Sequence, residues 1–370
     1  MRHARRPFSD RDRLRTRRVR SATAAAMLLL ASARFVVGAA PAGGIAWVED
    51  FADDPIAAGR FSVPPGQDAS RFTYAAAGPF VTVHYDTQLP TAWYWRLLDA
   101  TGGRSFGRCD DFEFSVTFHI RGAGFFADAS NFAQIGWGLI NTQTTGEDRA
   151  GGSAGPYAFD VVTFDYFPNI TAFGGPNLGA TVIHSDSGAG FFAKIDFGFG
   201  PETRIDAALG DASIALDTTY TARVSYDSAA QTATLTVTQG TGALPINADG
   251  AGGPGGFDGD VTTIQTLLQI DGPFAVDAFA LTAWQDTFNP FGSTVIADVD
   301  VSRISFTGLP ATAGDLNHDG LVDGNDIAAF VDALLSGSPA ACAAARGDFD
   351  LDGQLTVDDL SGFVAALVGA

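Results

Sequence analysis

The feature that most constrains this chain lies at its C-terminal end, where one unit occurs twice without a gap. Gly314 to Gly337 reads GDLNHDGLVDGNDIAAFVDALLSG and Gly347 to Ala370 reads GDFDLDGQLTVDDLSGFVAALVGA, an offset of 33 residues (314 to 347). In the first copy Asp315, Asn317, Asp319, Asp323 and Asp326 stand at positions 1, 3, 5, 9 and 12 of a loop, with Gly320 at position 6. Asp348, Asp350, Asp352, Thr356 and Asp359 repeat the pattern around Gly353. That spacing lets a short loop surround a calcium ion, with the carbonyls of Leu321 and Gln354 at position 7 as further ligands and the glycine permitting the sharp turn. Without a cation the crowded carboxylates repel one another, so calcium is expected to fold the segment as well as bind it. A solvated acidic run does not explain the same spacing twice, and the expectation is two calcium ions. Each loop runs into a short amphipathic helix, with Ile327, Phe330, Val331 and Leu334 on one face of the first and Leu360, Phe363, Val364 and Leu367 on the second. Helices this short do not stand alone in water, so the two faces are predicted to pack on each other.

Two loop-helix units in tandem, each lacking an entering helix and ending its EF-hand-type loop in Asp rather than Glu, resemble a type I dockerin from Gly314 to the C-terminus. The resemblance implies docking onto a cohesin-like module, commonly through a Ser-Thr pair at loop positions 10 and 11 and basic residues in the following helix. Gly324-Asn325 and Val357-Asp358 occupy those positions, and Asp332 stands where a basic residue is usual. Another cell-surface protein is therefore an equal candidate for the partner.

Residues 43–308 have a different texture. Short alternating apolar runs are bounded by Gly, Pro, Asp and Asn, as in FEFSVTFHI (Phe112 to Ile120), AQIGWGLI (Ala133 to Ile140), AFDVVTFDYF (Ala158 to Phe167) and FFAKIDFGF (Phe191 to Phe199). From Tyr220 to Thr238, a hairpin turning at Asp227 to Ala230 is expected to bury Tyr220, Ala222, Val224, Tyr226, Ala233, Leu235 and Val237 on one face. Many strands with no convincing helix between them predict two packed antiparallel sheets, a jelly-roll sandwich, so the chain is expected to be mainly β with a small all-α module at its end. Gly240 to Gly259 reads as a loop and residues 309–313 as a linker to the module at 314–370. On strand pattern and hairpin, the sandwich resembles the concanavalin-like lectin and glucanase superfamily.

That resemblance implies carbohydrate chemistry. Glucanases of this type carry Glu-x-Asp-x-x-Glu, a strand that presents two carboxylates on one face. The four glutamates, Glu49, Glu113, Glu147 and Glu202, are never so spaced. In VTFDYFPN, Asp165, the Phe167 carbonyl and Asn169 are similar to the metal ligands of legume-type lectins, but Thr163 and Gly174 replace two acidic ligands. An Asp that ends a strand and begins a turn fits the same residues. Trp93, Tyr94 and Trp95 must alternate sides along a strand, so at least one ring is expected to face solvent or a groove where it could stack on a sugar; core packing is the alternative for each. GGSAG at Gly151 and GAGGPG at Gly250 lack the strand and helix that a nucleophile elbow or dinucleotide loop needs. No local catalytic signature remains.

Export follows from the N-terminus. Nine arginines before residue 21 precede an apolar stretch from Ala22 to Leu30 and small-residue cleavage patterns ending at Ala33 and Ala42, so residues 1–42 read as a signal peptide. The stretch falls short of a membrane span, and no spanning stretch follows it. A net charge of -20, larger still once those arginines are removed, disfavours nucleic acid as a partner. Cys109 and Cys342 are either bridged or two free thiols. The sequence thus reads as a secreted calcium-binding protein with a docking module on a non-catalytic carbohydrate-binding or adhesive sandwich; a polysaccharide hydrolase with an unfamiliar acidic site and a structural envelope protein are the alternatives.

Overall fold

The computed structural model describes residues 44–86, 89–121, 135–142, 160–167, 177–183, 195–197, 217–238, 263–269, 274–283, 296–337 and 340–369. The signal peptide, the Gly240 to Gly259 segment, Asn169 and most of the run from Phe191 to Phe199 lie outside them.

Sixteen strands are described: β1 (Ile45–Glu49), β2 (Phe72–Ala75), β3 (Phe80–Asp86), β4 (Ala92–Leu97), β5 (Phe106–Gly107), β6 (Asp111–Arg121), β7 (Ile135–Ile140), β8 (Val161–Phe167), β9 (Asn177–Ile183), β10 (Ile195–Phe197), β11 (Thr219–Asp227), β12 (Thr232–Thr238), β13 (Thr263–Gln269), β14 (Ala275–Val276), β15 (Ala278–Ala283) and β16 (Ile296–Leu309). Eight form one antiparallel sheet in the order β13-β12-β11-β6-β16-β3-β2, with β1 also on β16; six form a second, β10-β9-β8-β7-β15-β4; β5 and β14 pair separately. The expected sandwich is present.

The two sheets differ in how their strands are buried. In β6 buried and part-exposed residues alternate without a fault, Phe112, Phe114, Val116, Phe118 and Ile120 facing the core. The hairpin forms in the expected register, Val224 opposite Leu235 and Tyr226 opposite Ala233. Its turn is fixed by the Asp227 carboxylate, which accepts the amides of Ala229 and Ala230 at 2.9 Å each. By contrast every residue of β7 (IGWGLI) and β15 (AFALTA) is buried. Both faces of the six-stranded sheet are therefore covered there, which is why those strands read as apolar runs rather than alternation. Gly138 in β7 answers a close approach, since a Cβ there would lie 2.3 Å from the Val162 carbonyl oxygen.

β16 pairs with β6 along its length, with β3 over its first half and with β1 over its second, and it shifts register between Val301 and Arg303. It delivers the chain directly to the first acidic loop.

Three helices follow: α1 (Asp326–Ser336), α2 (Ala341–Gly347) and α3 (Leu360–Gly369). Phe330 of α1 and Phe363 of α3 stack at 4.1 Å between ring centroids, 2° from parallel, and are both buried. Leu334 and Leu367 pack against the same cluster as expected, but the rest of the two apolar faces needs correction. Ile327, Val331, Leu360 and Val364 are exposed. Helix α2 falls in the spacer between the repeats, where Ala341 to Ala345 favours helix.

Candidate metal centre in the paired acidic loops

The two loops are built by the same hydrogen bonds. In the first, Asp315 accepts the Asp319 amide on one oxygen and the Gly320 amide on the other, both at 3.0 Å. In the second, Asp348 accepts the amides of Asp352 (3.1 Å) and Gly353 (2.8 Å). Asp326 accepts from the backbone of Asn317 and Asp323, and Asp359 from that of Asp350 and Thr356, with the Phe349 amide added at 2.7 Å. The side chains of Asn317 and Asp350 each accept the amide two residues on, as do those of Asp319 and Asp352. Asp323 and its counterpart Thr356 each accept the amide two residues on.

Backbone conformation repeats as well. Gly320 and Gly353 have φ of 88° and 86°, the left-handed region that favours glycine. His318 and Leu351, at position 4 of each loop, have φ of 60° and 62°, a conformation uncommon for side chains of that size. Two chemically unlike side chains share the same local strain because the same turn demands it.

All side-chain donors at these positions are carboxylate, amide or hydroxyl oxygens, and no sulfur or imidazole stands among them. That is a set for a hard cation such as calcium. Among the described residues, Asp348, Asp350 and Asp352 bring carboxylate oxygens within 4.8 Å of one another. The Asp352 amide lowers the affinity of Asp350 for a proton, yet desolvation and the charges of Asp352, Asp359 and Asp348 together outweigh it and raise the pKa. Burial raises that of Asp315 against the pull of the Gly320 and Asp319 amides. At Asp359, burial is overcome by the amides of Thr356, Asp350 and Phe349, and its carboxyl is held below the usual range. Each loop thus collects negative charge that amides only partly balance, and the residues present fit a cation.

The loops differ in what they touch. Asp315 is fully buried, and His318 is only 7 % exposed at its side chain. His318 Nδ1 lies 3.1 Å from an Asp111 carboxylate oxygen and 3.2 Å from Ser228 Oγ, both on the sandwich. Arg346 of α2 donates to the Cys109 carbonyl at 2.6 Å and to Ser228 Oγ at 3.0 Å, while its own carbonyl accepts the Gly314 amide at 2.9 Å. Cys109 and Cys342 are joined by a disulfide, which decides between the two readings left open above. Cys342 is a sequence candidate whereas Arg346 and Asp111 are not; the four-residue spacing of Cys342 and Arg346 puts both on one face of α2, but nothing local marks Asp111. Leu351, the counterpart of His318, is 85 % exposed.

The other candidates lie in the six-stranded sheet. Tyr94 points into the core, stacked between Phe61 and Phe72, and does not reach the surface, so it offers no sugar platform. Trp93 is buried on the opposite face with Ile140, Val161, Ala278 and Ala280, so it too is not exposed as it stands. Trp95 packs against that group, is part-exposed and donates from its indole to Ser62 Oγ at 2.6 Å. Register places Trp93, Thr282, Gly136, Asp165 and Gly179 in one row across five strands. Asp165 is fully buried and accepts from Thr163 Oγ at 3.0 Å; Phe167 ends β8.

No protein-family model matches the chain, and no curated protein matches it in sequence. Solved structures similar to it include the basic winged bean lectin with Tn-antigen (12 % identity, 72 % of this chain and 98 % of that one, TM-score 0.44). Lectin II from Ulex europaeus is 11 % identical over 71 % of this chain and 98 % of its own, with a TM-score of 0.39. The metal-free form of lectin I-B4 from Griffonia simplicifolia is 12 % identical over 71 % and 99 %, with a TM-score of 0.40. Likeness at that identity and TM-score carries no ligand over to this chain.

Proposed function

We propose that this chain is an exported calcium-binding protein whose C-terminal loops hold two calcium ions, attached to a non-catalytic sandwich that binds carbohydrate. The observation that carries the calcium reading is the bond-for-bond repetition of one loop in two sequences that differ at most non-ligand positions. Asp315, Asn317, Asp319, Asp323 and Asp326 with the Leu321 carbonyl would hold one ion. Asp348, Asp350, Asp352, Thr356 and Asp359 with the Gln354 carbonyl would hold the other. Calorimetry of the full chain with calcium should give two ions, and Asp315→Asn or Asp348→Asn should each remove one. A chain that takes up no calcium would end this reading.

A disulfide supports export, because such bonds persist in oxidising compartments. For the sandwich, support comes from Trp95, the part-exposed ring at the β4 edge of the six-stranded sheet, whose indole is held by Ser62 Oγ. A part-exposed indole held in one orientation suits stacking on the apolar face of a sugar ring. A glycan array on the full chain, repeated with Trp95→Ala, tests it; binding unchanged by the substitution would remove Trp95 from the site.

The exposed apolar residues recur at the same positions of both repeats, Ile327 with Leu360, Val331 with Val364 and Leu335 with Val368. They support a docking role toward a cohesin-like or other cell-surface protein. Pull-down with a purified cohesin module, compared for wild type and Val331→Asp with Val364→Asp, separates those two partners.

A further inference from the structure

The seam between the first acidic loop and the sandwich joins groups that belong to neither repeat alone. His318 stands between ligand positions 3 and 5, and its imidazole meets Asp111 and Ser228. Ser228 donates its amide to Asp111 at 2.7 Å and accepts from Arg346, which also holds the Cys109 carbonyl. Asp110 ties the same corner to the incoming chain through the amides of Gly107 and Ala311. Among the described residues, Arg108 Nε, His318 Nε2 and Arg346 Nε are buried there without a protein partner. Those unsatisfied nitrogens offset part of what the seam's hydrogen bonds contribute, so a first loop held in shape by an ion would strengthen it. At the second loop the matching residue, Leu351, is turned to solvent.

Resting on the calcium reading, we infer that the two cation sites have different work: occupancy of the first loop braces the sandwich at the β11–β12 turn and the Cys109–Asp111 corner, whereas occupancy of the second does not. The partner of the inner repeat is the chain's own sandwich, and His318 is the positioning residue that carries the coupling. When opening of the seam requires the first loop to lose its ion, the amides that report on it gain protection by the binding factor, about a hundredfold at calcium one hundred times the dissociation constant.

Hydrogen exchange of the intact, disulfide-bonded chain tests this, read at the Ser228 and Ala311 amides with and without calcium. Calcium should slow exchange there by about that factor in wild type and in Asp348→Asn, and should not in Asp315→Asn. His318→Leu copies the residue at the same position of the second loop, so it should keep two-ion uptake in calorimetry while losing the calcium-dependent protection. Equal protection in Asp315→Asn and Asp348→Asn, or full protection in His318→Leu, would overturn the coupling while leaving the calcium reading intact. Failure of wild type to bind calcium would overturn both.

Discussion

The two acidic loops share their ligand positions, amide bonds and left-handed residues, yet one is built into the body of the protein and the other is turned to solvent. Asp315 is fully buried and its neighbour His318 meets the sandwich, while Leu351 at the matching place is 85 % exposed. What differs is set by a residue that binds nothing in either loop. The comparison teaches that duplication preserves the chemistry of a site through its ligand spacing, whereas the role of each copy is decided by the residues between the ligands.

The largest test of that asymmetry is covalent. Cys109 and Cys342 are 233 residues apart, and a crosslink closing a loop of that length restricts the unfolded chain by about 5 kcal/mol in the chain-entropy account. Cys109→Ser with Cys342→Ser should lower the denaturation midpoint correspondingly, and exchange at Gly314 should rise more than at Gly353. Next comes the element the repeats share. Phe330→Ala and Phe363→Ala should each cost about 3–5 kcal/mol in the stability of the helical module, because the rings fill one contact from opposite sides. Unequal losses in calcium-free protein would show that the helices, and not only the loops, are asymmetric.

Smaller is the calcium effect on the whole chain. At calcium one hundred times the dissociation constant, each loop should contribute about 2.7 kcal/mol to the state that holds its ion. Thermal scans should show that Asp315→Asn removes calcium stabilisation from the sandwich transition and Asp348→Asn from the module alone. The smallest effect is on pH. Burial would raise the Asp111 pKa, but hydrogen bonds from His318 and the Ser228 amide outweigh it and hold the carboxyl below the usual range. A depressed carboxylate contributes stability that is full above its unfolded value of about 3.9 and is lost as pH falls through the lower folded value. In chelator, the stability gap between wild type and Asp111→Asn should therefore narrow as pH falls below about 4.

Local pattern made much of this legible. The alternation of β6, the hairpin from Tyr220 to Thr238 and the acidic spacing are each set by a handful of adjacent residues, and each was readable from the chain. Contacts across long separations were not. Asp111, Ser228 and Arg346 meet only because β6, the β11–β12 turn and α2 are brought to one corner, and no spacing encodes that. Alternation along Trp93, Tyr94 and Trp95 showed that the rings must divide between two faces, but not that the second face is covered too. Helical periodicity likewise marked the apolar faces of α1 and α3. It could not show that the two faces meet through Phe330 and Leu334 of α1 and Phe363 and Leu367 of α3, leaving Ile327, Val331, Leu360 and Val364 outside.

The disulfide also guards the tether between the sandwich and the helical module. The segment from Pro310 to Thr312 is the only stretch of backbone leading from β16 into the helical module, and a protease that cut it would sever the polypeptide there. Because Cys342 lies beyond the cut and Cys109 before it, both fragments would stay together until a reductant arrived. A nicked molecule would run as one species without reductant and as two with it, so the module is retained rather than shed when its tether is clipped.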